Sequence, residues 1–246
     1  MILSRNFFIY FLSGFLFSGC AAINMNHFQD GKTVGEGNVD LNIGLGTGLA
    51  YNTDTTEIDP QNYKVRTERG PVSVFLSGTI QAGVTSNFDL GGELFTSLGS
   101  TGFKVFGKYA LTDSLSPLGI ALMPVIGFSF PWFEEDEDQY QTFDEGEVRY
   151  VVRSFIMEVL IPISYHTSDR FAITLGPKLY FHHNYLLQSG DEDVEFHRKG
   201  RSTYTSPGAF LGFHIDNVRF EANIVYFNKQ FWTPYFGFSY APKGFL

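Results

Sequence analysis

Residues 38–51 read NVDLNIGLGTGLAY. Val39, Leu41, Ile43, Leu45, Thr47, Leu49 and Tyr51 share one parity, and Asn38, Asp40, Asn42, Gly44, Gly46, Gly48 and Ala50 share the other. Successive side chains of a strand point to opposite faces, so this stretch predicts a β-strand with one greasy face and one polar or tiny face. Alternation alone does not say whether the greasy face meets a protein core or lipid. The companion face is informative, because a solvated outer face carries lysine and glutamate, whereas this one carries Gly44, Gly46 and Gly48. At a rise of about 3.3 Å per residue and a tilt near 40°, fourteen residues cover about 35 Å, enough for an apolar band of about 25 Å and its borders.

The same pattern recurs along the chain. Val72, Val74, Leu76, Ile80 and Ala82 oppose Ser73, Ser77, Thr79 and Gln81; Leu90, Leu94 and Leu98 oppose Asp89, Gly91 and Glu93; Phe103, Val105, Tyr109 and Leu111 oppose Lys104 and Lys108. Further strands are expected over 118–130, 148–165, 171–181, 204–215, 218–227 and 231–240, which makes about ten. In 148–165 the apolar phase slips between Val152 and Phe155, predicting a bulge near Arg153-Ser154. The expected connections sort by length: 52–70, 131–147 and 183–202 are long and polar, and those at 85–87, 113–117, 166–169 and 216–217 are tight. All the long ones then leave from one end, as in barrels with external loops and short turns on the other side. Aromatic residues are expected at both borders of the band, Tyr51, Phe130, Trp132, Tyr150 and Tyr204 at the loop end and Phe88, Tyr165, Phe213 and Phe220 at the turn end.

Composition agrees. The 246 residues hold 26 Gly, 27 Phe and 13 Tyr, and only 17% are charged. Mean hydropathy is −0.04 and no internal run of eighteen apolar residues occurs, which excludes helical spans. A formal charge of −9 argues against nucleic acid as a partner, because phosphate binding needs a basic face. The N-terminus MILSRNFFIYFLSGFLFSGC has Arg5, an apolar stretch from Phe7 to Phe17 and then small residues, the form of a secretory signal. Its end, Leu16-Phe17-Ser18-Gly19-Cys20, resembles the lipobox of bacterial lipoproteins, which implies a signal peptide over 1–19, acylation of Cys20 and outer-membrane sorting, since Ala21 follows. Cys20 is the only cysteine, so no intramolecular disulfide is possible. Loss of residues 1–19 removes Arg5 and no acid, taking the charge from −9 to −10.

Residues 36–246 resemble the bacterial outer-membrane β-barrel class, including Gly83-Val84-Thr85, Asp89-Leu90-Gly91 and Gly107-Lys108-Tyr109. The resemblance implies an all-β fold, a single antiparallel up-and-down transmembrane β-barrel. It also implies residence in the outer membrane with the N-terminus periplasmic, residues 20–35 as a lipidated periplasmic tether, and contact with lipid, lipopolysaccharide and the barrel-assembly machinery. A chain of that class often ends on phenylalanine, whereas this one ends Gly244-Phe245-Leu246.

Ten strands leave a narrow lumen. Asp89, Glu93, Lys104, Lys108, Lys178, Arg219 and Glu221 are expected to fill it as a mixed-charge network, with Lys108 across from the space between Asp89 and Glu93. No catalytic set stands out. His182 and His183 are adjacent and face opposite ways, and His214 and Asp216 share a face at a tight turn. Outer-membrane proteases of ten strands exist, and Asp191 to His197 supplies acids and a histidine in an outer connection without reproducing their motifs. Glu134, Glu135, Asp136, Glu137 and Asp138 are the densest charge run, a solvated loop or a weak site for Ca²⁺ or Mg²⁺. No cofactor is implied. The expected role is structural or surface-interaction, with a rim-located hydrolase acting on peptide or lipid A, or a narrow small-solute channel, as alternatives.

Overall fold

The computed structural model describes residues 21–59, 62–97, 100–131, 148–168, 170–190, 197–227 and 231–242. Its strands are β1 (Ala21–Asn24), β2 (Val39–Asp59), β3 (Asn62–Thr85), β4 (Phe88–Ser97), β5 (Ser100–Ala110), β6 (Leu118–Pro131), β7 (Val148–Leu160), β8 (Ile163–Ser168), β9 (Phe171–Gly190), β10 (His197–Ile215), β11 (Val218–Phe227) and β12 (Phe231–Tyr240). β2 to β12 form a closed, all-antiparallel barrel in which each stave pairs with its sequence neighbour and β12 returns to β2. β7 and β8 are two halves of one stave, since both lie between β6 and β9, so the barrel has ten staves.

The polarity is inverted relative to a soluble protein. Ile43, Leu76, Leu90, Leu94, Val105, Ile126, Leu175 and Phe236 point outward, Leu94 with 71% of its surface exposed. Asp89, Glu93, Lys104, Lys108, Glu158, Lys178 and Glu221 are buried inside. An apolar belt around a charged interior is the construction of a transmembrane barrel. Tyr165, Phe213 and Phe220 are exposed at the turn end, joined by Phe238 and Tyr240. The interior is not uniformly polar. Phe75, Phe95, Ile156, Tyr180, Val225 and Tyr235 pack with Met25 in one inward cluster, and Phe106, Met123, Val125, Leu160 and Phe210 form a second.

Three expectations about the staves are corrected. Residues 52–70 and 183–202 are mostly strand: β2–β3 and β9–β10 run on as paired hairpins to Asp59↔Asn62 and Gln188↔His197. Alternating Thr, Tyr, Val and charged residues there favour extended pairing over a free loop. No register shift occurs at Arg153-Ser154, which pair continuously with Tyr185 and Asn184. The stave is instead interrupted at Ile161-Pro162, where proline cannot donate to the ladder.

The seam that closes the barrel is short. β12 and β2 pair only from Gly237↔Gly46 to Tyr240↔Ile43, while β11 and β12 pair from Val218↔Tyr240 to Phe227↔Phe231. At the upper limit of the seam Phe236 uses both its N–H and its C=O on the Thr47 hydroxyl, at 2.8 and 3.1 Å. Alternate residues of a strand direct their main-chain groups to the same neighbour, so Pro234 faces this seam too and has no N–H to give it. Above Thr47 the edge of β2 is taken by β1, from Asn24↔Gly48 to Ala21↔Tyr51.

Candidate functional site

The chain between β1 and β2 does not lie outside the barrel. Asn24, Met25, Asn26, His27, Phe28 and Gln29 are all buried, and they descend through the lumen from the seam toward the turn end. Residues 20–35 were expected to form a periplasmic tether; residues 24–34 instead form a luminal plug. The physical reason lies in the wall, which holds acids and lysines needing polar partners away from water. The same path places Ala21 beside Tyr51, at the end from which the long hairpins leave, rather than at the turn end expected for the start of the mature chain.

Wall side chains bind the main chain of the plug. Lys104 Nζ donates to the Asn24 carbonyl at 2.7 Å, and Lys178 Nζ and the Tyr180 hydroxyl donate to that of Met25 at 3.0 and 3.3 Å. The His27 and Phe28 N–H groups donate to the Glu221 carboxylate at 3.2 and 2.6 Å. Arg219 reaches the Phe28 carbonyl at 3.2 Å, and Ser164 and Asp89 accept from the N–H groups of Gly31 and Val34 at 2.7 and 3.1 Å. Phe28 has φ of 53°, unusual for a bulky residue, and this turn aims two successive N–H groups at one carboxylate, an anion nest.

Side chains add selectivity. His27 Nε2 lies 2.5 Å from Glu158, which also holds Lys104 at 3.0 Å, and Asn24 donates to Glu93 at 2.5 Å. The Asn26 amide donates to the Thr47 carbonyl at 2.8 Å and accepts from Asn223 at 2.9 Å. Lys108 reaches Gln29 at 3.3 Å and Asp89 at 3.5 Å, and Lys178 stands 3.6 Å from Glu221.

The glycines of the opening stretch find their use here. A Cβ on Gly44 would stand 2.6 Å from the Phe28 ring, and one on Gly237 would stand 2.7 Å from that ring and 2.9 Å from the Asn26 side chain. A Cβ on Gly46 would overlap the Asn26 amide. Gly44, Gly46 and Gly237 thus make a trough on either side of the seam into which Asn26 and Phe28 fit. Below it lies a polar cavity of about 310 Å³ lined by Gln29, Lys32, Asp40, Gln81, Lys108 and Arg219. The plug leaves through the turn at 35–38, where Gly35 and Gly37 have φ of 87° and 75°, and enters β2.

The seven charged residues named from the sequence all border this lumen, with partners that alternation does not reveal. Lys108 sits directly opposite Asp89 instead of between Asp89 and Glu93, and Lys104, opposite Glu93, makes its ion pair with Glu158. Arg219 is half-buried and paired with Asp40 at 2.7 Å. Glu158, His27, Asn24 and Asn26 were missed. Glu158 carries a usable signal, being the one acid among Ile156, Met157, Val159 and Leu160 in a spanning strand. His214 faces Asp30 at 3.6 Å, not Asp216, which pairs with Arg170 at 3.7 Å. His182 is buried against Tyr180, while His183 meets the Thr203 hydroxyl at 2.6 Å. Glu134 to Asp138 and Asp191 to Phe196 lie outside the described residues, as does Cys20.

No protein-family model and no curated protein sequence matches the chain. Solved structures that it is similar to include the following two. The outer membrane protease OmpT from Escherichia coli is 11% identical, with 83% of this chain and 91% of that one covered and a TM-score of 0.40. The KdgM porin is 12% identical, with 81% of this chain and 98% of that one covered and a TM-score of 0.32.

Proposed function

We propose that this protein is a bacterial outer-membrane barrel with a structural or surface-interaction role, anchored through an acylated Cys20 and closed to solute by its own N-terminal segment. The observation that carries this reading is the plug. Its main chain is clasped through both carbonyl and N–H groups by charged wall residues, and a segment so held obstructs the lumen. The apolar belt supports residence in lipid, and the signal-like N-terminus supports export. Planar-bilayer recording of the full-length protein tests the reading. A silent membrane is expected; stable unitary conductance would refute it.

A further inference from the structure

We propose that the luminal wall is a binding site for a polypeptide segment supplied in trans that can take the path of residues 24–34, and that residues 24–34 are the tethered occupant it can release. The inference rests on the closed-lumen reading and extends it. Three observations carry it.

The wall recognises main chain first. Lys104, Lys178, Tyr180, Ser164, Asp89, Arg219 and Glu221 all engage carbonyl or N–H groups of the plug, and the Glu221 pair needs the turn at Phe28, which brings two successive N–H groups to one side. Main-chain bonds give such sites their affinity, and pockets for particular side chains give selectivity. Here the selective elements are the glycine trough for Asn26 and Phe28 and the Glu158 carboxylate for His27.

The occupant is held in a strained form. A bulky residue at positive φ persists only where its surroundings enforce it, so Phe28 favours departure once Glu221 lets go.

An exit also exists. The seam beside the trough is paired only from Ile43 to Gly46, its upper edge meets Pro234, and the strand filling the gap is β1, the start of the occupant itself. The polar cavity of about 310 Å³ below borders Gln29, Asp30, Lys32, Thr33 and Val34, so that part of the segment is not packed on all sides.

Tethering keeps the site full. Joined to β2 by the short turn at 35–38, the segment has an effective concentration on the order of millimolar, so a free peptide competes only when the tethered copy is weakened or cut. Two preparations of the full-length chain in detergent test this, with fluorescence anisotropy of a labelled synthetic peptide of residues 21–36 as the readout. In the first, His27→Ala weakens only the tethered copy. It should take up the unaltered peptide about tenfold more tightly than the parent chain, the factor expected from one buried charged hydrogen bond. In the second, which also carries Cys20→Ser so that no acyl chain holds the cut piece in the micelle, a protease site inserted after the exposed Glu36 is cut in the folded protein, which should release the resident segment on dilution and rebind the labelled one saturably. A peptide of the same composition in scrambled order should bind at least about tenfold more weakly. Equal binding of the scrambled peptide would overturn the proposal. So would equal uptake by the parent and His27→Ala chains, or a cut segment that stays bound through dilution. None of these failures makes the parent chain conduct, so they are distinguishable from failure of the closed-lumen reading.

Discussion

Glu221→Gln removes the charge at the nest while keeping the shape. The carboxylate accepts the N–H groups of His27 and Phe28, the latter at 2.6 Å, takes a bond from Asn223 at 2.8 Å and faces Lys178 at 3.6 Å. Hydrogen bonds to a charged group contribute about 1.5–3 kcal/mol, and removing one member of a buried ion pair costs about 3–5 kcal/mol because the other is left uncompensated. Since the amide still accepts one N–H, the plug should loosen by about 3 kcal/mol, or roughly 100-fold in its opening equilibrium. Amide hydrogen exchange of the detergent-solubilised protein measures that equilibrium residue by residue. Amides of residues 25–31 should exchange roughly 100-fold faster, while those of β10 and β11 keep their parent rates. Lys178→Met on its own removes the bond to the Met25 carbonyl and should also loosen the plug, and the double variant should lose at least about tenfold less protection than the two single losses combined, since the two changes couple through one contact. A less than twofold acceleration in Glu221→Gln would refute the idea that charge at residue 221 holds the plug.

Other outcomes follow from the same geometry. Gly46→Val should leave the barrel's unfolding midpoint unchanged or raised, because a β-branched residue suits a strand, while the plug amides lose protection as Asn26 is pushed from its trough. Unchanged plug protection would show that the trough is incidental. Val105 lies halfway along β5, opposite Ile126 and half-exposed on the belt, so Val105→Lys should cost about 2–4 kcal/mol in urea unfolding from a bilayer. A cost under about 0.5 kcal/mol, the usual size for a water-facing surface change, would mean the belt does not meet hydrocarbon. Protease shaving of intact cells should cut within residues 134–147 and spare the tight turns at Ser86-Asn87 and Asp216-Asn217; protection of 134–147 would reverse the proposed orientation.

The barrel was legible from the sequence because period two is unforgiving. A one-residue slip would move every leucine of the belt into the lumen, so strands such as β11 and β12 fall on their expected limits. The inward direction of the charges follows from the same rule. What they hold does not. Alternation gives the face of Glu221 or Lys104 but not the object opposite, and the plug has no periodicity, since its residues take their conformation from the wall. Asn24-Met25-Asn26-His27-Phe28 reads as an ordinary linker, and only the combination of seam glycines with surplus luminal acids hints at an occupant. The extent of the β2–β3 and β9–β10 hairpins was also hidden, because beyond the belt a strand need not be greasy on either side.

Passage of residues 24–34 through the lumen changes the parity of the molecule. Ten staves alone would return the chain to the side it started from. The luminal transit is an eleventh crossing, so Ala21 sits beside Tyr51 at one rim and Ala241, bonded to the Asn217 carbonyl, at the other. Reporters fused ahead of Ala21 and after Ala241 would therefore stand at opposite ends of the barrel, and a cargo joined ahead of Ala21 would share its rim with the tall hairpins.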